Sequence, residues 1–89
     1  MLAQFTRTNI LLGEDNLAKL AGKHILIAGV GGVGGYVAEA IARAGVGKIT
    51  LIDNDVVDIT NLNRQLISTF ANVGELKVNE FAKRILAIN

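Results

Sequence analysis

Four glycines within six residues, Gly29-Val30-Gly31-Gly32-Val33-Gly34, constrain this chain more than any other feature. On their amino-terminal side, His24 to Ala28 carries Ile25, Leu26 and Ile27 as an uninterrupted apolar run. Such a run, lacking polar alternation, predicts a parallel strand covered on both faces. On the other side the chain reads as a helix ending near Gly45, then a second strand from Lys48 to Ile52 closed by Asp53. Gly29 and Gly31 permit a tight turn and let bare backbone approach a phosphate, and Gly34 lets the helix lie close to the strand. A phosphate in that turn meets the unsatisfied N–H groups and the positive dipole end of the helix. Asp53 follows Gly34 by 19 residues, near the spacing at which a carboxylate at a strand tip accepts hydrogen bonds from ribose hydroxyls. With strand, helix and acid all in place, a nucleotide site is favoured over a purely structural turn.

The remaining sequence sets limits. A chain of 89 residues has room for one thin-cored domain, burying roughly 60 to 65% of its unfolded surface. With 51% hydrophobic residues and no proline, it is ordered and not linker-like. Nine Lys and Arg against eight Asp and Glu give no bulk attraction for DNA or another polyanion. Cysteine is absent, which removes disulfides, thiolate metal sites and a cysteine nucleophile. His24 is the single histidine, and it reads as a strand-end residue, not a metal ligand. No apolar run reaches the roughly 18 residues of a membrane span, and the amino terminus lacks a signal-like pattern. A cytoplasmic location with no membrane partner follows by default.

Met1 to Leu12 has no clean period, although Phe5, Ile10 and Leu11 offer apolar anchors, and Arg7 taken alone reads as a solvated charge. Glu14 to Leu20 predicts a short helix, with acids in its first turn, Lys19 near its end and Leu17 and Leu20 on one face. Gly22 ends it. Within the helix after the glycine turn, Val37, Ala38, Ile41, Ala42 and Ala44 make a small-residue surface suited to lying against a sheet. After the second strand, Asp53, Asp55, Asp58, Thr60, Asn61, Asn63, Arg64 and Gln65 form a polar stretch. A solvated loop is its simplest reading. The three carboxylates also suit a divalent cation in chemistry, but the spacing lacks the glycine and distal Glu of a calcium loop. The last segment reads as helical from about Glu75, with Val78, Phe81, Ala82, Ile85 and Leu86 on one stripe. Lys77, Glu80, Lys83 and Arg84 lie off that stripe, the last two as dipole-compatible surface charges. Lys77 in the first turn opposes the dipole, a misfit that points to an anion.

Asp53-Asn54-Asp55, Asn61-Leu62-Asn63-Arg64-Gln65 and Val73-Gly74 with Lys77 closely resemble the HesA/MoeB/ThiF superfamily, the ubiquitin-activating-type enzymes that adenylate a carboxylate with ATP. Together with the Gly-x-Gly-Gly-x-Gly turn these motifs are far more specific than any one alone. Phe5-Thr6-Arg7-Thr8, Leu12-Gly13 and the helix after them look most like the branch containing tRNA threonylcarbamoyladenosine dehydratase. Gln4 departs from that branch, where an arginine is usual before the Phe. The resemblance covers residues 1–89 as the amino-terminal part of an ATP-binding adenylating domain. It implies an α/β fold: an incomplete, Rossmann-like parallel βαβ unit with a short amino-terminal helical segment and a carboxy-terminal helix.

For the site, the resemblance implies that Gly29, Gly31, Gly32 and Gly34 form the nucleotide turn, with Gly32 approaching the ATP phosphates and Asp53 binding the ribose. Asp55 belongs to the same cofactor-binding set. Asn61, Arg64 and Lys77 would hold the triphosphate, the two cations offsetting charge that grows as pyrophosphate leaves. Arg7 matches an arginine that, in dimeric members, reaches into the partner's site, where its fork suits phosphate oxygens. ATP is the implied cofactor, with magnesium held by an aspartate expected beyond Asn89, and a homodimer or higher homo-oligomer is expected. The implied substrate is a carboxylate, in that branch one on threonylcarbamoyladenosine in tRNA, activated for dehydration and ring closure. As an amino-terminal fragment, the chain by itself is expected to be inactive. Two other readings remain: an NAD-dependent dehydrogenase fragment, which has no use for Arg64 and Lys77, and a non-catalytic nucleotide-binding or assembly half-domain.

Overall fold

The computed structural model describes residues 3–89, so Met1 and Leu2 of the opening segment lie outside the described residues. After a 3-10 turn at Ala3–Phe5 the order is α1 (Thr6–Leu12), α2 (Glu14–Ala21), β1 (His24–Ala28), α3 (Gly32–Ala44), β2 (Lys48–Ile52) and α4 (Lys77–Leu86). β1 and β2 pair in parallel, from His24 opposite Lys48 to Ala28 opposite Ile52. Both strands stand where the apolar runs put them, and the connecting helix ends before Gly45 as expected but begins at Gly32, inside the stretch read as the glycine turn.

Alternation along the strands decides which side meets the core. Ile25, Ile27, Ile49 and Leu51 point one way, and Ile27, Ile49 and Leu51 pack with Val30, Ala38, Val57, Ile67 and Phe81. The opposite face carries His24, Leu26, Thr50 and Ile52, and there the His24 Nε2 lies 2.6 Å from the Thr50 hydroxyl. Leu26 is 59% exposed and Ile27 is the buried residue of β1, so the expected cover on both faces is absent. The cause is architectural: α3 and α4 pack on one side of the two-stranded sheet. The apolar run therefore announces a two-sided environment that only one face obtains.

The amino-terminal segment departs from expectation in two ways. It is helical at Thr6–Leu12, and Ile10 and Leu11, expected as anchors, are 83% and 84% exposed. Phe5 is the anchor that forms, its ring lying against Gly45 at the end of α3. α1 packs on α2 outside the central core. The result is an elongated molecule of 42 × 21 × 18 Å with a radius of gyration of 14.2 Å, against about 12 Å for a compact chain of this length.

α4 begins at Lys77 and not Glu75, because the residues before it are used in a ladder. The Val57 N–H donates to the Glu75 carbonyl at 2.8 Å, the Gly74 N–H to the Val57 carbonyl at 2.8 Å and the Lys77 N–H to the Asp55 carbonyl at 3.1 Å. Val56 and Leu76 form the antiparallel bridge at its centre. From Lys77 onward the apolar stripe divides. Phe81 is buried with Val78 and Ile85 against it, whereas Leu86 is exposed.

Candidate nucleotide site

The glycine turn and the tip of β2 are joined by Asp53. Its Oδ2 accepts a hydrogen bond from the Val30 N–H at 2.9 Å, and its Oδ1 accepts one from the Asp55 N–H at 2.7 Å. The Val30 bond, then the Asp55 bond, and more weakly the Lys77 charge hold this carboxyl below its ordinary value of 3.8, against an opposing effect of burial. Each oxygen keeps a lone pair for a further donor, so the carboxylate can clamp the turn and still accept from a hydroxyl.

Gly29 carries φ of +90° at the corner, a conformation that L side chains rarely adopt. Gly34 has another reason to be glycine: a Cβ there would collide with the Gly29 carbonyl oxygen. The close approach is thus between helix and turn, more than between helix and strand as the spacing alone suggests. α3 begins at Gly32, with Gly31 as its N-cap and no side chain capping it. Space beside Gly32 is open. The first-turn amides of α3 are free to meet an anion.

The stretch after Asp55 is more ordered than a solvated loop. Asp58 Oδ1 accepts from the Thr60 N–H at 2.9 Å and from its hydroxyl at 2.7 Å. Asn61 Oδ1 accepts from the Asp58 N–H at 2.8 Å, a reciprocal capping box around the 3-10 turn Ile59–Asn61. The Thr60 bonds lower the Asp58 carboxyl pKa. Asn61 is buried, and spending its oxygen on Asp58 leaves its amide nitrogen as the available donor. Arg64 is held by the Thr60 carbonyl at 3.1 Å and Asn63 Oδ1 at 2.9 Å. With Gly32, Val33, Tyr36, Val37 and Ala40 it lines an open groove of about 520 Å³, so the guanidinium stands next to the glycine turn.

Lys77 is buried at 5% exposure, although the sequence puts it off the apolar stripe. The ladder between residues 55–57 and 74–77 carries it inward at the start of α4. Its ammonium lies 3.9 Å from Asp55 Oδ2, on a carboxylate that is itself mostly exposed. Among the described residues no other carboxylate comes within 4 Å of Lys77. The Asp53 and Asp58 carboxylates also feel its charge from farther off, but a buried ammonium whose nearest carboxylate stands 3.9 Å away gains from a further anion in direct contact.

Asp53, Asp55 and Lys77 therefore converge beside the glycine turn, and Arg64 flanks it. Arg7 is not brought to that cluster: it is exposed on α1, which packs on α2. Among the described residues no three His, Cys, Asp or Glu side chains group around one point. Asp53, Asp55 and Asp58, weighed as a cation set, are instead engaged with amides, a lysine and a hydroxyl. Two further features escaped sequence reasoning. Arg84 is not a plain surface charge but grips Glu39 of α3 with two bonds, 2.8 and 3.1 Å. Gln65 is buried with its Nε2 3.7 Å from where a Cβ of Gly31 would stand. Its place in the Asn-Leu-x-Arg-Gln run was the only available signal.

Known proteins supply a frame for this geometry. Residues 5–89 match the ThiF family. The tRNA threonylcarbamoyladenosine dehydratase of Bacillus subtilis is 48% identical over 89 residues, spanning all of this chain and 35% of that protein. An adenylyltransferase and sulfurtransferase, uba4, of Aspergillus terreus is 44% identical over 78 residues, 88% of this chain and 16% of the relative. The crystal structure of the E. coli tRNA N6-threonylcarbamoyladenosine dehydratase in complex with ATP superposes with a TM-score of 0.94 at 49% identity, over 97% of this chain and 35% of that one. The chain thus spans about a third of the length of the dehydratases it matches. Among the described residues no helix is long and apolar enough to cross a membrane.

Proposed function

The chain belongs to the ThiF family, and from that premise we propose that its site serves the ATP-dependent adenylation of a carboxylate. The observation that carries this reading is Lys77, a buried ammonium with one long ion pair, beside a carboxylate clamped to a glycine turn. A dinucleotide-dependent dehydrogenase uses the turn and the acid but gains nothing from Lys77 or Arg64. The dehydratase structure solved with ATP supports the same choice.

In the reaction a carboxylate oxygen attacks the α-phosphorus of ATP, forming an acyl-adenylate as the bond to pyrophosphate breaks. Asp53 holds the turn and accepts from the ribose hydroxyls. The first-turn amides of α3, with Gly31 and Gly32 bare of side chains, receive phosphate oxygens. Asn61 donates its amide, while Lys77 and Arg64 offset the charge that accumulates on the departing pyrophosphate, commonly the largest catalytic contribution in such a transfer. Asp55 positions Lys77. Arg7, exposed on α1, acts on the site of a second copy in a homodimer. The favoured substrate is the carboxylate of threonylcarbamoyladenosine in tRNA, activated for dehydration and ring closure, on the strength of 48% identity to a relative of that name.

Titration calorimetry with ATP and with NAD tests this directly. ATP binds in preference, and Lys77→Ala or Arg64→Ala weakens it at least about tenfold, the loss of one charge-assisted contact. Preferential binding of NAD, or ATP affinity indifferent to both substitutions, overturns the proposal.

A further inference from the structure

Among the buried polar residues that the proposed reaction leaves unused, Gln65 is the one set against the glycine turn. The residue is 9% exposed, and its Oε1 is buried with no hydrogen-bond partner among the described residues. Its backbone is fixed at both sides: the N–H donates to the Asn61 carbonyl at 2.9 Å, and the carbonyl accepts from the Ser68 N–H at 3.1 Å. The carboxamide is thereby held against the glycine turn, its Nε2 3.7 Å from the Cβ position of Gly31. Gly31 is the uncapped N-cap of α3. A buried amide left with an unpaired oxygen is unfavourable, and an apolar side chain of equal length would fill the same space without that cost.

We propose that Gln65 is a positioning residue for phosphate recognition: its carboxamide backs Gly31 from within and holds the first-turn amides of α3 in the arrangement that receives phosphate oxygens. The nitrogen end of the carboxamide lies nearest Gly31, so the partial charge it brings to the turn is positive and favours an anion at the amides. The oxygen end meets no donor among the described residues. This role rests on the turn being a phosphate site, and it explains why the Arg64-Gln65 pair is continuous. The guanidinium flanks the turn from the groove, and the carboxamide supports it from behind.

The test uses this 89-residue chain with three ligands, tripolyphosphate, ATP and adenosine, measured by calorimetry beside a thermal melt. Gln65→Met keeps length and packing and removes the amide. The expected result is a five- to twentyfold loss of tripolyphosphate and ATP affinity, with adenosine affinity unchanged and the melting midpoint the same or higher. Gln65→Glu, which sets a carboxylate behind the turn, loses more than Gln65→Met at neutral pH. Unchanged tripolyphosphate affinity in Gln65→Met overturns the role, and so does a parallel loss for adenosine, which would mark a merely structural contact. A wild-type chain that binds tripolyphosphate but not adenosine sinks the nucleotide reading alone, and the Gln65 comparison still decides on tripolyphosphate. Should Gln65→Met fail to fold, Gln65→Asn, which keeps the amide on a shorter arm, is read in its place: ATP affinity intermediate between wild type and Gln65→Glu supports the role, and affinity equal to wild type overturns it.

Discussion

Asp53 accepts from the Val30 N–H on one oxygen and the Asp55 N–H on the other, so one carboxylate ties the tip of β2 to the corner of the glycine turn. The spacing from Gly34 made this acid visible in the sequence as a ribose acceptor. Its bond to Val30 was not visible, because that depends on the Gly29 corner turning the next N–H back toward β2. The two amides hold its folded pKa below 3.8. A group depressed on folding stabilises the native state above its unfolded pKa, and that contribution disappears as pH falls through the folded value. Urea unfolding across pH 2 to 6 checks this. The wild type loses stability on acidification below about pH 4, and Asp53→Asn shows a shallower loss over the same interval. At neutral pH Asp53→Asn is less stable by about 1 to 3 kcal/mol, the range for a hydrogen-bonded charged group. Parallel pH profiles for the two proteins would show that the clamp carries no such linkage.

At the scale of elements, α3 and α4 meet through one aromatic ring and one ion pair of unequal worth. Phe81 is fully buried among Ile27, Val30 and Ala38. Arg84 and Glu39 form two bonds, but the Arg84 side chain is 38% exposed, which screens the pair. Their pKa values move apart accordingly: Glu39 is lowered chiefly by its bond to Arg84, and Arg84 is raised by the same bond. Phe81→Ala costs about 3 to 5 kcal/mol, enough to unfold a thin-cored chain, and Arg84→Ala costs about 1 kcal/mol or less. Urea denaturation ranks them; an equal or larger loss in Arg84→Ala would reverse this assignment of the interface. The helical period made Val78, Phe81 and Ile85 legible as core. It misassigned Lys77 and Arg84, because burial of the first follows from the ladder before α4 and pairing of the second from the position of α3. Both are tertiary facts that no local period contains. The two strands were legible to the residue because apolar runs and glycines bound them on both sides; the end of α3 was legible too, but its first turn, from Gly32, lies inside the run read as the glycine turn. α1 was not, since Thr6 to Leu12 carries no amphipathic stripe and buries none of its residues.

At the scale of the whole molecule, the described residues leave apolar surface uncovered. Leu26 and Ile52 lie exposed on the outer face of the sheet, Ile10 and Leu11 on α1, and Leu86 at the end of α4. Beside β2, a groove of about 590 Å³ is lined by Ile49, Leu51, Val78, Ala82, Ile85 and Leu86, among others. In the two-stranded sheet each strand also has an edge without a partner strand. Unpaired strand edges and contiguous apolar patches drive association, and the charges are too nearly balanced, nine against eight, for repulsion to prevent it. Self-association at micromolar concentration is therefore expected, with light scattering giving a dimer or larger mass. Leu86→Glu, which adds a charge at the groove without touching the buried core, shifts the distribution toward monomer while leaving the far-UV spectrum unchanged. ATP affinity separates two kinds of assembly. If Arg7 of a second copy completes the site, dilution to monomer weakens ATP binding and Arg7→Ala mimics that loss in the assembled protein. If the copies meet only through the groove and the sheet edge, mass falls on dilution while ATP affinity stays constant. A monodisperse monomer at micromolar concentration would remove the basis for both, and with it the assignment of Arg7 to a partner's site.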